Sequence, residues 1–463
     1  MSKFLLFSFF VLFFPPAIAQ CYVEIPRSNY VTLVLKDNGT LWGCGGNSGF
    51  QLQNGSTAAG LSMQQIGTAS DWSSEIAGSG HILAIKNNGT LWAWGDNGFG
   101  CLGTGSTSNV YVPTQIGSSS NWARVASFNH YSLAIKANGT LWTWGANFSG
   151  QLGHGDFVNR NQPTQVGTDT NWVKVGASFY ASYGLKADGT IWAWGSLGLI
   201  SSGVVTSITV PSPIQIGFQS TWSDISSNGG SFLALKNDGT LWSWGVNDWG
   251  QLGDGTFTHR SEPMQVGTDN DWSQIIATGN NSIALKQDGT LWSWGNSQYL
   301  GDGSTSHRNV PAMLGEGQTW IELGGHSNSV FVLNQNHELY GWGENFDGQM
   351  GDGTLTQVDE LQYISGNGNT CTLSVSPVAD NTQLSISPNP VSDSFSLTYK
   401  LPEDILVHIS IVNTLGQVVR QIPAVQAKGQ QNQVISVAGF APGIYFAQLY
   451  YSNTSSTIKF IVL

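Results

Sequence analysis

Residues 231–245 read Ser-Phe-Leu-Ala-Leu-Lys, then Asn-Asp-Gly-Thr, then Leu-Trp-Ser-Trp-Gly. The first part alternates apolar and polar as a half-buried strand does, and Asn-Asp-Gly is tight-hairpin chemistry. The last part alternates again, so Trp242 and Trp244 share one face of a second strand. The pattern predicts a strand–turn–strand hairpin. The same frame begins at Leu35, Ile85, Ile135, Leu185, Leu235 and Leu285, 50 residues apart, and in worn form 48 residues later at Leu333. Seven copies of a unit this long must be read as an array before anything else.

Each unit holds two more alternating segments. An earlier strand opens on Tyr22, Trp72, Trp122, Trp172, Trp222, Trp272 or Trp320. After the hairpin come a Gly-Asn loop, a Gln-Leu-Gly-Asp-Gly closure as in Gln251–Gly255, a variable loop, and Pro-x-Gln-Val-Gly as in Pro163–Gly167. Four short strands per repeat, separated by turns, is the arithmetic of a propeller blade. A linear β-solenoid would need shorter coils and longer apolar ladders. Seven blades closing into a ring also remove the exposed sheet edge of an open array. The recurring tryptophans then read as inter-blade packing, and the recurring Lys36, Lys86, Lys136, Lys186, Lys236 and Lys286 as solvent residues flanking their turns.

Composition fits this architecture. Charged residues are 10% of the 463, against about 25% in ordinary domains, and there are 58 glycines and 19 tryptophans. The net charge is −12, and it sits in the repeats: residues 21–366 hold 12 basic and 25 acidic side chains, whereas 367–463 hold 4 of each. An acidic body disfavours nucleic acid or an anionic membrane as the main partner.

The ends differ from the array. Met1–Ala19 has Lys3, an apolar run from Phe4 to Phe14 and a closing Ala17-Ile18-Ala19, which reads as a secretory signal peptide. The run is too short to span a bilayer, and no transmembrane span is expected in the mature protein. Residues 20–366 are then the propeller, 367–383 a linker rich in Gly, Asn, Thr, Ser and Pro, and 384–463 a run of alternating strands expected to form a small immunoglobulin-like β-sandwich. The fold class is all-β throughout. Export permits disulfides. Of Cys21, Cys44, Cys101 and Cys371, the first and last flank the array, so a ring would bring them close; Cys21–Cys371 is the preferred staple. Three connectivities are open, as is a reading with four free thiols.

Two resemblances follow from these motifs. The pattern Gly-[Ser/Thr]-[Leu/Ile]-Trp-x-Trp-Gly-x-Asn-x-x-Gly-Gln-Leu-Gly resembles the regulator of chromosome condensation repeat, which implies a seven-bladed propeller. Three units depart from it: the fourth lacks Gln-Leu-Gly (Ser196–Gly203), the sixth is short near Tyr299, and the seventh has Asn336-His337 for Asp-Gly. Their blades should be irregular. The tail is similar to the C-terminal sorting domain of type IX secretion in Ser387-Pro388-Asn389-Pro390, Asn413-Thr414-Leu415-Gly416-Gln417, Ala441-Pro442-Gly443-Ile444-Tyr445 and Lys459-Phe460-Ile461-Val462. That resemblance implies export, outer-membrane passage through the type IX machinery, and release or surface attachment with the tail cut off.

Catalytic signatures are lacking. The eight histidines form no metal-ligand motif, and there is no nucleophile elbow, Walker loop or H-E-x-x-H. Asp254, Asp302 and Asp352 offer too few oxygens for calcium and read as turn residues. No cofactor is expected. Function should sit where blades differ. One such set precedes each second strand: Tyr30, His81, His130, Tyr131, Phe179, Tyr180, Gly230, Asn280, Asn281 and Asn328. Another follows the tryptophan pair: Phe50, Phe99, Phe148, Trp249, Tyr299 and Phe346. Such aromatic and amide side chains suit recognition of an extracellular protein or glycan, or else they tuck beneath their own loops. The expected function is therefore a non-catalytic, exported binding protein. The alternatives are a protein inhibitor of an enzyme, a polysaccharide-active enzyme, and guanine-nucleotide exchange by family analogy, which export disfavours.

Overall fold

The computed structural model describes residues 21–201, 204–227, 230–365, 384–413, 418–440, 443–451 and 454–462. The signal segment Met1–Ala19, the linker 367–383 and Cys371 lie outside the described residues. The chain divides into two compact units between Thr372 and Leu373.

The first unit is seven antiparallel sheets, each of four strands in chain order. The third blade is representative: Trp122–Phe128, Tyr131–Lys136, Leu141–Gly145 and Arg160–Gln165. The first blade runs from Tyr22–Glu24 to Gly60–Gln65, and the seventh from Trp320–His326 to Val358–Ser365. Arg27–Ser28 adds a short parallel strand to the second sheet, Arg27 opposite Ala77. Apart from that added strand, each blade is built from one contiguous repeat.

The recurring turn explains its own sequence. Asn138 Oδ1 accepts from Thr140 Oγ1 (2.8 Å), and that hydroxyl accepts from Trp142 Nε1 (2.9 Å). Asp238, Thr240 and Trp242 repeat the relay. The glycine between is required: Gly139 has φ +76°, and a Cβ there would lie 2.0 Å from the Thr170 carbonyl oxygen.

The second tryptophan of each pair makes the ring. Trp144 is fully buried, and its indole donates across the blade boundary to the Cys101 carbonyl (2.7 Å). Trp94, Trp194, Trp294 and Trp342 make the equivalent bond to Gln51, Gln151, Gln251 and Tyr299. The apolar core is accordingly divided into seven clusters, each shared by two neighbouring blades, such as Leu83–Leu102 with Trp122 and Trp144. At the closing boundary Cys44 replaces tryptophan, and the cluster there is Tyr22, Ile25, Val34, Phe331, Leu333, Leu339 and Met350. Other contacts act at that boundary. Thr32 Oγ1 (2.7 Å) and Cys44 Sγ (3.2 Å) donate to the Gln349 carbonyl, and His337 Nδ1 lies 2.7 Å from the Tyr22 carbonyl. Cys21 is disulfide-bonded, whereas Cys44 and Cys101 are free thiols.

The repeated lysines are not solvent residues. Lys236 Nζ lies 3.5 Å from the Trp242 ring centroid and 5.2 Å from that of Trp222, and the other five are sandwiched in the same way. The turn folds the ammonium back between two aromatic rings, both indoles except at Lys36, which lies between Tyr22 and Trp42, a cation–π contact of roughly 0.5–2 kcal/mol depending on desolvation. The three deviant repeats are irregular. The fourth replaces its closure by a long hairpin, Ile191–Ser201 with Val204–Gln215; the sixth has a 3₁₀ turn at Ser297–Tyr299; in the seventh His337 takes φ 59°.

The second unit is one five-stranded sheet around a core including Phe395, Leu397, Ile409, Leu449 and Phe460. Ser394–Asn413 pairs antiparallel with Val418–Ser436 with register shifts between Leu401 and Ile405, Val407 and Ile409, and Ile411 and Val412, and Val391 bridges Val462 in parallel. The hydrogen bonding does not separate two sheets, so the immunoglobulin-like topology stays an expectation. No helix among the described residues is long and apolar enough to cross a membrane.

Truncating Trp144 to Ala should destabilise the propeller by about 3–5 kcal/mol, whereas Trp144→Phe, which loses the bond to Cys101, should cost about 1–3 kcal/mol. Urea unfolding followed by circular dichroism checks both; no loss in Trp144→Phe would show that the indole N–H contributes nothing.

Candidate functional site

Antiparallel strands in chain order put the loop after the first strand and the loop after the third at the same end of the blade. The two residue sets singled out in the sequence therefore share one face. Phe99, from the second blade's later loop, packs on His130 of the third blade (ring centroids 4.9 Å) and edge-on to Phe148 (5.2 Å). Tyr30, Phe148, Phe179, Tyr180 and Phe346 are 44–64% exposed, and His130 is exposed too. Phe50, Phe99, Trp249, Asn280 and Asn328 are half-buried, Trp249 leaning on His307 (4.7 Å) and Asn328 donating to Glu344 (2.7 Å).

Four expected site residues are buried instead. His81 is inaccessible, with Nδ1 3.1 Å from the Asn129 carbonyl and Nε2 2.8 Å from Ser132 Oγ. Burial pulls its pKa down to about 4, so the ring is neutral at pH 7. The Tyr131 hydroxyl donates to the Ser178 and Ala181 carbonyls (2.9 and 2.7 Å), Asn281 donates to the Asn296 carbonyl (2.7 Å), and Tyr299 donates to Glu344 (3.2 Å). The first three open their second strands and turn inward, one residue past the loop tip; Tyr299 sits in the 3₁₀ turn. Phe157, Phe257 and Leu355 join the exposed face from the variable loop. Sequence reasoning missed them, although all three stand two residues after the closing glycine of a Gln-[Leu/Met]-Gly-x-Gly segment.

Below the tips, conserved chemistry of the repeat builds the loops. Asn147 Oδ1 accepts from Leu152 N (2.9 Å) while Nδ2 donates to the Asp156 carbonyl (2.9 Å). Asp254 pairs with Arg260 (2.6 Å), consistent with a turn role. Among the described residues no group of three or more His, Cys, Asp or Glu is placed to hold a metal ion. Two cavities open on the face. One of about 650 Å³ lies among Tyr30, Asn47, Asp96, Asn129, His130 and Asp347. One of about 340 Å³ lies among Tyr30, Phe179, Asn280, Asn328 and Glu344.

A third cavity, about 510 Å³, is the axial channel lined by the first strands of all seven blades. The position two residues after the opening aromatic supplies Glu24, Arg124, Lys174, Asp224, Gln274 and Glu322. Arg124 pairs with Glu75 (2.8 Å) and Lys174 with Asp224, so neighbouring blades are bridged by charge. Arg27 reaches across to Tyr183, Ser226 and the Ile275 carbonyl (3.2–3.4 Å). Burial, then the Glu75 charge, pushes Glu24 up to about 7; burial, then Glu24, pushes Glu322 up to about 8. The sequence hid this ring because its residue type changes from blade to blade at a fixed spacing.

Two families match the sequence. The regulator of chromosome condensation repeat matches residues 88–135, 138–181 and 238–285, and the secretion system C-terminal sorting domain matches 385–463. Human WBSCR16 has a similar structure (TM-score 0.59, 19% identity, 66% of this chain and 85% of that one). So does Prp20p from Saccharomyces cerevisiae, described with its binding to Gsp1p and histones (TM-score 0.57, 19% identity, 66% and 80%). At such identities the likeness shows the propeller fold alone. No curated protein sequence matches the chain.

Glu24 and Glu322 bind protons more tightly folded than unfolded, where a glutamate titrates near 4.5. Their contribution is therefore greatest below about pH 4.5 and is lost as pH rises towards 7–8. Glu322→Gln should raise stability at pH 8.5 by on the order of 1 kcal/mol, about 2–4 °C in melting midpoint, and change little at pH 4.5. A gain equal at both pH values would refute the assignment.

Proposed function

We propose that this chain, a propeller of regulator of chromosome condensation repeats ending in a secretion system sorting domain, works outside the cell as a binding protein. Its loop face would hold an extracellular protein or glycan. The observation that carries this reading is the convergence of two loop sets on one face with their aromatic rings exposed. A rigid ring that presents rings and amides on loops is suited to recognition, and nothing in its repeated residues is suited to chemistry. The sorting domain makes the protein secreted or cell-surface bound. Signal-peptide export, outer-membrane passage and removal of the tail extend that reading. Inhibition of an enzyme would be one form of such binding. Guanine-nucleotide exchange fits poorly, since it acts on partners inside cells. The raised carboxyls of Glu24 and Glu322 favour one rival, hydrolysis of a polysaccharide; turnover that disappears in Glu322→Gln would establish it.

The triple variant Phe148→Ala, Phe179→Ala, Phe346→Ala should fold normally and lose at least about tenfold in affinity for a partner captured from culture medium, roughly 1.4 kcal/mol or more. Undiminished capture would remove the loop face from the function. Intact mass of the secreted form should lack residues 385–463; a full-length surface species would contradict tail removal.

A further inference from the structure

We propose that the 650 Å³ cavity on the loop face is a subsite for a neutral saccharide; the proposal rests on reading that face as a binding surface. The volume lies within the range of small-ligand sites. It opens where the loops of the first three blades meet, with Asp347 contributed by the seventh.

Part of the lining is committed and part is free. Asn47 spends its amide on the Ser56 and Ala58 carbonyls and accepts from Leu52, and Gln51 bonds Gly49 and Ser79. His130 is engaged by Asp96, with Nδ1 3.2 Å from Oδ2. By contrast the Ser48 hydroxyl, the Asn129 amide and the Asp347 carboxylate have no hydrogen-bond partner among the described residues. Tyr30 stands at the rim, 44% exposed. Tyr30 and Asn129 both hold left-handed backbone, with φ 64° and 42°. Such backbone costs energy and tends to persist where a site needs the side chain aimed.

This set matches a sugar better than other ligands. A pyranose presents adjacent hydroxyls that both donate and accept, which a carboxylate and a primary amide bind in pairs. Its C–H face packs flat against a tyrosine ring. No lysine or arginine lines the cavity, and Asp96 and Asp347 do, so sulfated, phosphorylated and uronic ligands are repelled. An apolar peptide anchor would find one aromatic ring and no hydrophobic pocket.

Affinity electrophoresis and calorimetry on the full secreted protein would test this with named probes: β-1,4-glucan, α-1,4-glucan, xylan, mannan and chitin oligosaccharides, with polygalacturonate and heparan sulfate as anionic controls. At least one neutral probe should bind, with affinity reduced at least about tenfold by Asp347→Asn and by Asn129→Gly, a change that keeps the positive φ. Phe218→Ala, exposed at the opposite end of the blades and outside the cavity, should leave it unchanged. Binding of the anionic probes alone, of no probe, or of a neutral probe equally well by both variants would overturn the proposal. In each of those cases, capture of a protein partner that still depends on Phe148 and Phe346 would leave the broader reading of the face standing; loss of that dependence would remove both.

Discussion

The propeller depends on one bond repeated around a ring: an indole from the third strand of one blade donating to a carbonyl in the closing loop of its neighbour. Trp144 to Cys101 is the model case. The second strand often adds a hydroxyl to the same carbonyl, as Ser132 does at 2.7 Å. A buried carbonyl carries two lone pairs and both are used, which removes the cost of leaving one in an apolar seam. Burial of the ring supplies the apolar contact and the N–H supplies the register. No blade has a closed core of its own, because each cluster belongs to two sheets.

That dependence separates what repeats from what varies. Asn and Gln of the closing loop, the turn Thr, and the lysine between two tryptophans are all committed to holding a blade. They recur because every blade makes the same demand. Residues released from that demand occupy three places: the tips of two loop sets, the variable loop beside them, and the inward position of the first strand. The first two form the exposed aromatic face. The third forms the charged channel, where opposite charges on adjacent blades offset one another at Glu75–Arg124 and Lys174–Asp224.

The repeat made the fold legible, since period, turn chemistry and tryptophan pairing all point to the same blade. It also located the three irregular blades, because loss of Gln-Leu-Gly or of a turn glycine has a direct backbone consequence. Side-chain direction was harder. His81 and Tyr131 lie one residue beyond a loop tip, and in a strand one residue is the difference between solvent and core. Lys236 looked solvated because a charge beside a turn usually is, and only the three-dimensional approach of Trp222 and Trp242 reveals its sandwich. The channel residues were invisible for the opposite reason. Glu24, Arg124, Lys174 and Glu322 share a position and no chemistry, so no motif records them.

The closing seam joins fold to location. Cys44 stands where the other boundaries have tryptophan, so this seam lacks the buried indole and its hydrogen bond. Nor does a strand from the last repeat cross into the first blade, since the four strands of that sheet all come from the first repeat. What remains is a cluster of smaller side chains, hydrogen bonds from Thr32 and Cys44, and the His337–Tyr22 contact; beside them Cys21 is disulfide-bonded. Adjacent to it, Glu24 and Glu322 repel one another when both ionise. A disulfide persists in an oxidising compartment and is reduced in the cytosol. The Cys21 disulfide therefore belongs to a protein outside the cytosol, which is where the sorting domain sends this one.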